Sequence, residues 1–313
     1  MNKCDICPNN CDLDGKTVCG RSSGLDENII ETTAIAIDPI EKKPLYHFMP
    51  GTQTLSVGTL GCNLRCLNCQ NHSIAQPADA SSVPTRSYSP EEIVEMALDN
   101  KLKSISWTYN EASIHPEWII NTAKIAREYD IKSILVTNGY TSGKTLEKLV
   151  HFVDAVNVDL KSSKDEFYKT VCGGRLEYVL ESIKYYFTHE IHVEVTTLII
   201  PGYNSDGESI NGVIDYIKSL SCDIPLHFSA FYPQYKLMNV EATSDELVFE
   251  ACKNALDKGL NYVYAGNTYP SRFDNTYCSE CSEEIIERDY YHIKNNLKEG
   301  LCPNCGKDNN IIL

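Results

Sequence analysis

Gly61-Cys62-Asn63-Leu64-Arg65-Cys66-Leu67-Asn68-Cys69-Gln70-Asn71, directly after the strand-like run Thr54 to Thr59, decides how the rest of the chain is read. Three thiols fall within eight residues, separated by gaps of three and two, so a single loop can fold them around one soft metal centre. Thiolates are the ligands of zinc and of iron-sulfur clusters. A structural site is closed by a fourth protein ligand, whereas a reactive site keeps one position open. Three cysteines on a four-iron cluster leave one iron free for a substrate or cosubstrate, an arrangement that suits chemistry.

Working outward, Thr32 to Asp38 alternates weakly and reads as a strand, and Pro39 to Gly51 is an irregular connector with prolines near its start and a Pro-Gly turn at its end. Beyond the cysteine loop, Gln76 to Ser89 reads as a polar loop, and Ser89-Pro90-Glu91-Glu92 opens a helix with a cap, a proline and acids in the first turn. From there to about residue 264, apolar strands at Ser104 to Trp107, Ser133 to Val136, Val153 to Leu160, His192 to Ile199 and Leu226 to Ala230 alternate with helical periodicity. Helices are expected over Pro116 to Glu128, Leu176 to Phe187, Ser209 to Leu220 and Ser244 to Lys258. Strand-then-helix repetition implies parallel strands with crossover helices, hence an α/β barrel or open sheet. Ligands in such folds gather at the carboxyl ends of the strands. Thr108-Tyr109-Asn110-Glu111, Thr137-Asn138-Gly139-Tyr140 and Asn157-Val158-Asp159-Leu160-Lys161 lie there, with Asp159 and Lys161 on one face by strand alternation. His227, in the Leu226 strand, is a candidate catalytic residue against the plainer reading of a structural histidine.

Both ends carry further thiols. Cys4, Cys7, Cys11 and Cys19 sit among turn-formers in a segment with too few apolar residues to fold without a metal, zinc or a second iron-sulfur cluster. Near the other end, Cys278-x2-Cys281 and Cys302-x2-Cys305, twenty residues apart, form a zinc-ribbon or rubredoxin-like signature around a hairpin at Ile285 to Lys294, holding zinc or iron. Cys172, Cys222 and Cys252 fall outside these sets and read as small buried hydrophobes. The expected organisation is a Cys-rich segment at 1–31, a core at 32–270 and a four-cysteine ribbon at 275–313.

With 28 basic against 43 acidic residues, a net charge of −15 argues against a nucleic-acid backbone as the main partner, since phosphate binding needs a positive surface. No apolar run approaches the roughly 20 residues that span a bilayer, and Met1-Asn2-Lys3-Cys4-Asp5 has no signal-peptide core. A cytoplasmic protein is expected, in which Cys-x2-Cys and Cys-x3-Cys spacings point to metal ligands rather than disulfides.

The Cys-x3-Cys-x2-Cys loop resembles the cluster loop of the radical S-adenosylmethionine (SAM) enzymes. The resemblance implies a partial (β/α)6-type barrel, a 4Fe-4S cluster on Cys62, Cys66 and Cys69, and SAM chelated at the open iron. SAM is then cleaved by one electron to a 5'-deoxyadenosyl radical that abstracts hydrogen from a substrate. On the family's pattern Glu111 is similar to the acid of a Gly-Gly-Glu motif that holds the methionine amino group, with Tyr109 and Asn110 in place of the glycines. Asn138 resembles part of a Thr-Asn-Gly turn lining the cosubstrate pocket. Asp159 and Lys161 resemble the SAM-contacting Asp-Leu-Lys of glycyl-radical-enzyme activases.

Nearly the whole chain, from the N-terminal cysteines through Pro39-Ile40-Glu41-Lys42-Lys43-Pro44-Leu45-Tyr46-His47, Cys69-Gln70-Asn71, Tyr109-Asn110-Glu111 and Val263-Tyr264-Ala265-Gly266-Asn267 to the ribbon, resembles one branch, the radical SAM component of the AmmeMemoRadiSam system. That branch is itself similar to pyruvate formate-lyase activating enzymes. Gln70 stands where the activases typically carry histidine, and the extra cysteines lie at the chain's ends rather than in an insert after the cluster loop. The resemblance implies a low-potential electron donor such as flavodoxin or ferredoxin and, in an activase, a protein substrate. The competing class is a non-catalytic zinc-binding interaction module.

Overall fold

Six times between Gln53 and Gly266 a short strand passes into a helix and the chain returns to a neighbouring strand. The computed structural model describes residues 3–21 and 24–313; Met1, Asn2, Ser22 and Ser23 of the expected 1–31 segment lie outside the described residues. The strands are β1 (Ala34–Pro39), β2 (Gln53–Gly58), β3 (Ser104–Trp107), β4 (Lys132–Thr137), β5 (Ala155–Asp159), β6 (His192–Ile199), β7 (Leu226–Ala230) and β8 (Val263–Gly266). They form one sheet in sequential order, parallel throughout except for β1, which pairs antiparallel with β2 through Ala34 opposite Gly58 and Asp38 opposite Thr54. Among the described residues β1 and β8 do not pair with each other, so the wall is a partial barrel.

The helices are α1 (Pro90–Asp99), α2 (Pro116–Glu128), α3 (Gly143–Leu149), α4 (Leu176–Thr188), α5 (Gly207–Leu220) and α6 (Asp245–Asp257), and four of them start at a side-chain acceptor for their unpaired first-turn N–H groups. Ser89 caps α1 in a reciprocal box with Glu92, and Ser142, Asp206 and Ser244 cap α3, α5 and α6. Side chains alternate between the two faces of the sheet. Leu55, Val57, Ile105, Trp107, Leu135, Val156 and Val195 share a core with helix residues Ile93, Ile119 and Val213. Ile134 and Ala155 face the other way, onto Ile40, Leu45 and Phe48.

The irregular connector therefore plugs the inner face of the barrel near the amino ends of the strands. Glu194 accepts from the amides of Tyr46 and His47, and Asn157 donates to the Pro44 carbonyl at 2.8 Å. The ribbon covers the plug from below. Its strands β9 (Thr276–Tyr277), β10 (Glu284–Asp289) and β11 (His292–Asn295) form an antiparallel sheet. Arg288 stacks 4.2 Å over the Tyr46 ring and donates to its carbonyl, and the Ile312 amide donates to the His47 carbonyl. The stretch read as a plain polar loop holds a three-residue strand, Arg86–Tyr88, paired with Ile30–Thr32.

Candidate functional site

The cysteine loop leaves the carboxyl end of β2 and is pinned on every side. Asn110 at the end of β3 donates to the Thr59 hydroxyl and the Gly61 carbonyl, both at 2.8 Å, and accepts from the Thr59 amide. The amides of Arg65 and Leu67 donate to the carbonyls of Cys172 and Val171 at 2.7 and 2.9 Å, so the turn at Tyr168–Cys172 backs the loop. Asn63 is fully buried and donates to the Tyr140 carbonyl at 2.6 Å. Bonds from β3, the Tyr168–Cys172 turn and Tyr140 hold the loop in place ahead of any ligand.

Cys62, Cys66 and Cys69 are all half-buried. The Cys62 sulfur accepts from the Leu64 amide (3.4 Å) and Asn138 Nδ2 (3.5 Å), Gln76 Nε2 donates to the Cys66 carbonyl at 3.0 Å, and the neighbouring Cys172 thiol lowers the Cys66 thiol from its ordinary value. Burial pushes the Cys62 and Cys69 thiols up, an apolar pressure that a bound cation reverses. Cys172 was not singled out by the sequence, because a lone buried cysteine reads as a hydrophobe. It is completely buried in the main core, so it stands behind Cys66 rather than on the open face of the loop.

Glu111 lies just beyond the carboxyl end of β3. Its carboxylate is buried and spent on its own chain, accepting from Thr137 Oγ1 at 2.8 Å, the Asn138 amide at 2.6 Å and, more weakly, the Ser113 amide. It thus fixes the turn at the end of β4 and, through it, Asn138, which bridges Asn63 Oδ1 and the Cys62 sulfur. Asp159 and Lys161 do meet, at 2.8 Å, on the rim at the end of β5. Burial opposes the charge on Lys161, but Asp159 together with the Cys66 and Cys172 thiols outweighs it and holds the ammonium well above its usual value.

A second polar group beside the loop escaped the sequence reading because its members are scattered. Asp38 accepts from Lys43 Nζ (2.8 Å), Ser56 Oγ (2.8 Å) and Tyr109 Oη (2.5 Å). Burial works against ionisation of Asp38, yet these donors hold its carboxyl well below the usual range, while burial and Asp38 push Tyr109 up to about 12. Tyr109 adopts φ +71°, a strained value for a non-glycine residue. Its ring lies where a side chain on Gly58 would sit, which explains the glycine there.

His227 lies apart from this site. It occupies the amino end of β7, buried in the plug, with Nε2 2.6 Å from Glu194 Oε2 and its ring stacked on Tyr264. His192 takes the other carboxylate oxygen at 3.0 Å. Burial resists ionisation of Glu194, but the two imidazoles prevail and hold it well below the usual carboxylate range. His227 is thus engaged as a partner of Glu194, at the amino end of the barrel strands and away from the cysteine loop. At the ribbon, Cys278, Cys281, Cys302 and Cys305 place their sulfurs within 4.8 Å of one another, the separation a single tetrahedral ion requires.

The sequence model of the Radical SAM superfamily matches residues 56–217. An uncharacterized protein of Methanocaldococcus jannaschii is 40% identical over 99% of this chain and 96% of its own length. The pyruvate formate-lyase-activating enzyme of Clostridium pasteurianum is 25% identical over 63% of this chain and 87% of its own. Among solved structures, Streptococcus suis SuiB bound to S-adenosylmethionine superposes with a TM-score of 0.52 at 15% identity over 68% of this chain and 49% of that one. A radical SAM methyltransferase from Sphaerobacter thermophilus gives 0.51 at 13% identity over 74% and 71%. At such identities the two structures speak for the fold alone.

Proposed function

The chain belongs to the radical SAM superfamily, and from that premise we propose that Cys62, Cys66 and Cys69 hold a 4Fe-4S cluster at which SAM is cleaved. The observation that carries this reading is the donor set: three half-exposed sulfurs on one braced loop, two N–H donors aimed at Cys62, and the neighbouring fourth sulfur, Cys172, sealed in the core. When bound, the cluster supplies the electron that splits the sulfonium and releases the 5'-deoxyadenosyl radical.

The protein's own residues hold and shield. Asn138, fixed by Glu111, donates toward Cys62 and lowers the cost of negative charge on the sulfur. Lys161 adds positive charge near Cys66. Asp159 and Lys161 offer the rim one acceptor and one donor, suited to the hydroxyls and carboxylate of SAM. The plug of Ile40, Leu45 and Phe48 closes the lower end, so the substrate enters from the carboxyl ends of the strands. Anaerobic reconstitution followed by dithionite and SAM should yield methionine and 5'-deoxyadenosine; a sample with a verified cluster and no product refutes the proposal.

Similarity to an activating enzyme over 63% of the chain supports a narrower reading, in which the substrate is a protein that receives a glycyl radical. Electron paramagnetic resonance of candidate partners tests it through the glycyl doublet. The reducing electron is assigned to a low-potential donor such as flavodoxin or ferredoxin. Zinc is assigned to the ribbon, which lies at the plugged end, away from the cysteine loop. Among the described residues no helix is long and apolar enough to cross a membrane.

A further inference from the structure

The four N-terminal thiols and the four ribbon thiols are built to different dimensions. The ribbon sulfurs approach one another to 3.6 Å in the Cys278–Cys305 and Cys281–Cys302 pairs, as four ligands about 2.3 Å from one zinc must. Cys4, Cys7, Cys11 and Cys19 also converge. Cys4 and Cys11 are joined by a backbone bond of 2.8 Å, the amide of Asn10, next to Cys11, donates to the Cys7 carbonyl at 3.2 Å, and the amide of Val18, next to Cys19, donates to the Cys11 sulfur at 3.5 Å. Yet among the described residues no three of these sulfurs lie within 4.8 Å of one another. That is too wide for one ion. An iron-sulfur cluster, which interposes its own irons and sulfides between the thiolates, fills such a space. Cys62, Cys66 and Cys69 share this wider spacing.

The location is equally specific. Asn9, two residues from Cys7, donates through Nδ2 to the Asn63 carbonyl at 2.7 Å, next to Cys62. Gly61, at φ +94°, lies so close to the Cys19 carbonyl oxygen that a β-carbon would collide with it. The Ser142 amide donates to the Ile6 carbonyl, and Arg21 makes a two-pronged contact with Glu117, so the segment is seated on the barrel beside the cysteine loop. Cys11 and Cys19 are half-exposed while Cys4 and Cys7 are buried, giving the site an outer and an inner side.

We propose that Cys4, Cys7, Cys11 and Cys19 bind a second iron-sulfur cluster that relays the reducing electron through the Cys7–Asn9···Asn63–Cys62 contact to the central cluster. One electron enters from a low-potential one-electron donor at the outer side, reducing the N-terminal cluster from 2+ to 1+. The same electron passes inward, restoring 2+, with no bond made and no proton moved. The relay rests on the proposed function for its destination; the metal content does not.

The test uses full-length protein purified anaerobically, with iron, sulfide and zinc counted per chain. A variant combining Cys62→Ala, Cys66→Ala and Cys69→Ala should keep about four irons and about one ribbon zinc, and wild type about eight irons. Dithionite should give the triple variant a paramagnetic signal that SAM does not alter. A triple variant with no iron and a second zinc overturns the assignment. Asn9→Ala, which leaves every thiol in place, should keep the full iron count but slow reduction of the central cluster by ferredoxin severalfold; an unchanged rate overturns the relay. Full iron without 5'-deoxyadenosine would defeat the proposed function and leave the second cluster standing.

Discussion

Replacing Glu111 separates two roles for this carboxylate. If it meets the SAM ammonium directly, its loss weakens cosubstrate binding and leaves the fold intact. The structure instead has it accept from Thr137 Oγ1, the Asn138 amide and the Ser113 amide, all buried. Glu111→Ala orphans the first two of these strong bonds, and each buried donor left unmet costs about 1–3 kcal/mol. The third, at 3.3 Å, adds little. Water entering the vacated space offsets part of the loss, so a destabilisation of about 3 kcal/mol is expected. Glu111→Gln keeps one carbonyl acceptor but turns an amide toward a backbone N–H, and should fall between wild type and alanine. The assay is urea unfolding of anaerobically purified protein followed by far-ultraviolet circular dichroism, alongside iron content. Because Asn138 is released, iron should also be lost from the central site. Unchanged stability in Glu111→Ala, with only SAM affinity reduced, would refute the clamp.

Acid should weaken the fold early. Burial pushes His47 and His115 down to about 3, so both stay neutral when folded and take up protons when unfolded. Stability is then full above the unfolded value of about 6.5 and is lost on descending toward 3, with a slope approaching about 2.7 kcal/mol per pH unit for the two together. Glu194, held low in the folded state, adds to the loss below about pH 4.5. Urea midpoints that stay flat from pH 7.5 to 5 contradict this. Tyr109→Phe removes the 2.5 Å bond to Asp38 and should cost about 2 kcal/mol, the scale of a bond to a charged acceptor, with iron retained; a thermal midpoint equal to wild type would dismiss the bond as unimportant. Cys302→Ala should release the ribbon's zinc and lower the thermal midpoint without removing iron, as elemental analysis can check.

The alternation of strand and helix was legible because each unit is local: an apolar run, then a cap. Three expected strands and one helix, Ser104 to Trp107, His192 to Ile199, Leu226 to Ala230 and Pro116 to Glu128, match to the residue. Both pairs of the ribbon were legible from spacing alone, and their sulfurs meet. What the sequence hid is nonlocal. The Pro39 to Gly51 connector has no periodicity, and its task as a plug emerges only from Glu194, whose four donors come from three separate segments. Strand alternation could have put His192, Glu194 and His227 on one face, but not told that they consume one another. The partners of Glu111 were hidden for a similar reason, since they lie some 26 residues on. Lys43 and Tyr109 sit in quoted motifs, but nothing there pairs them with Asp38, and the positive φ of Tyr109 is visible only in the fold.

The account depends most on an iron cluster held by Cys62, Cys66 and Cys69 with one iron open to SAM. Electron paramagnetic resonance of the dithionite-reduced protein, recorded before and after SAM is added, addresses it directly. The predicted result is a reduced-cluster signal whose g-values shift with SAM in wild type and do not shift in the variant lacking those three thiols. Identical wild-type spectra with and without SAM would contradict it.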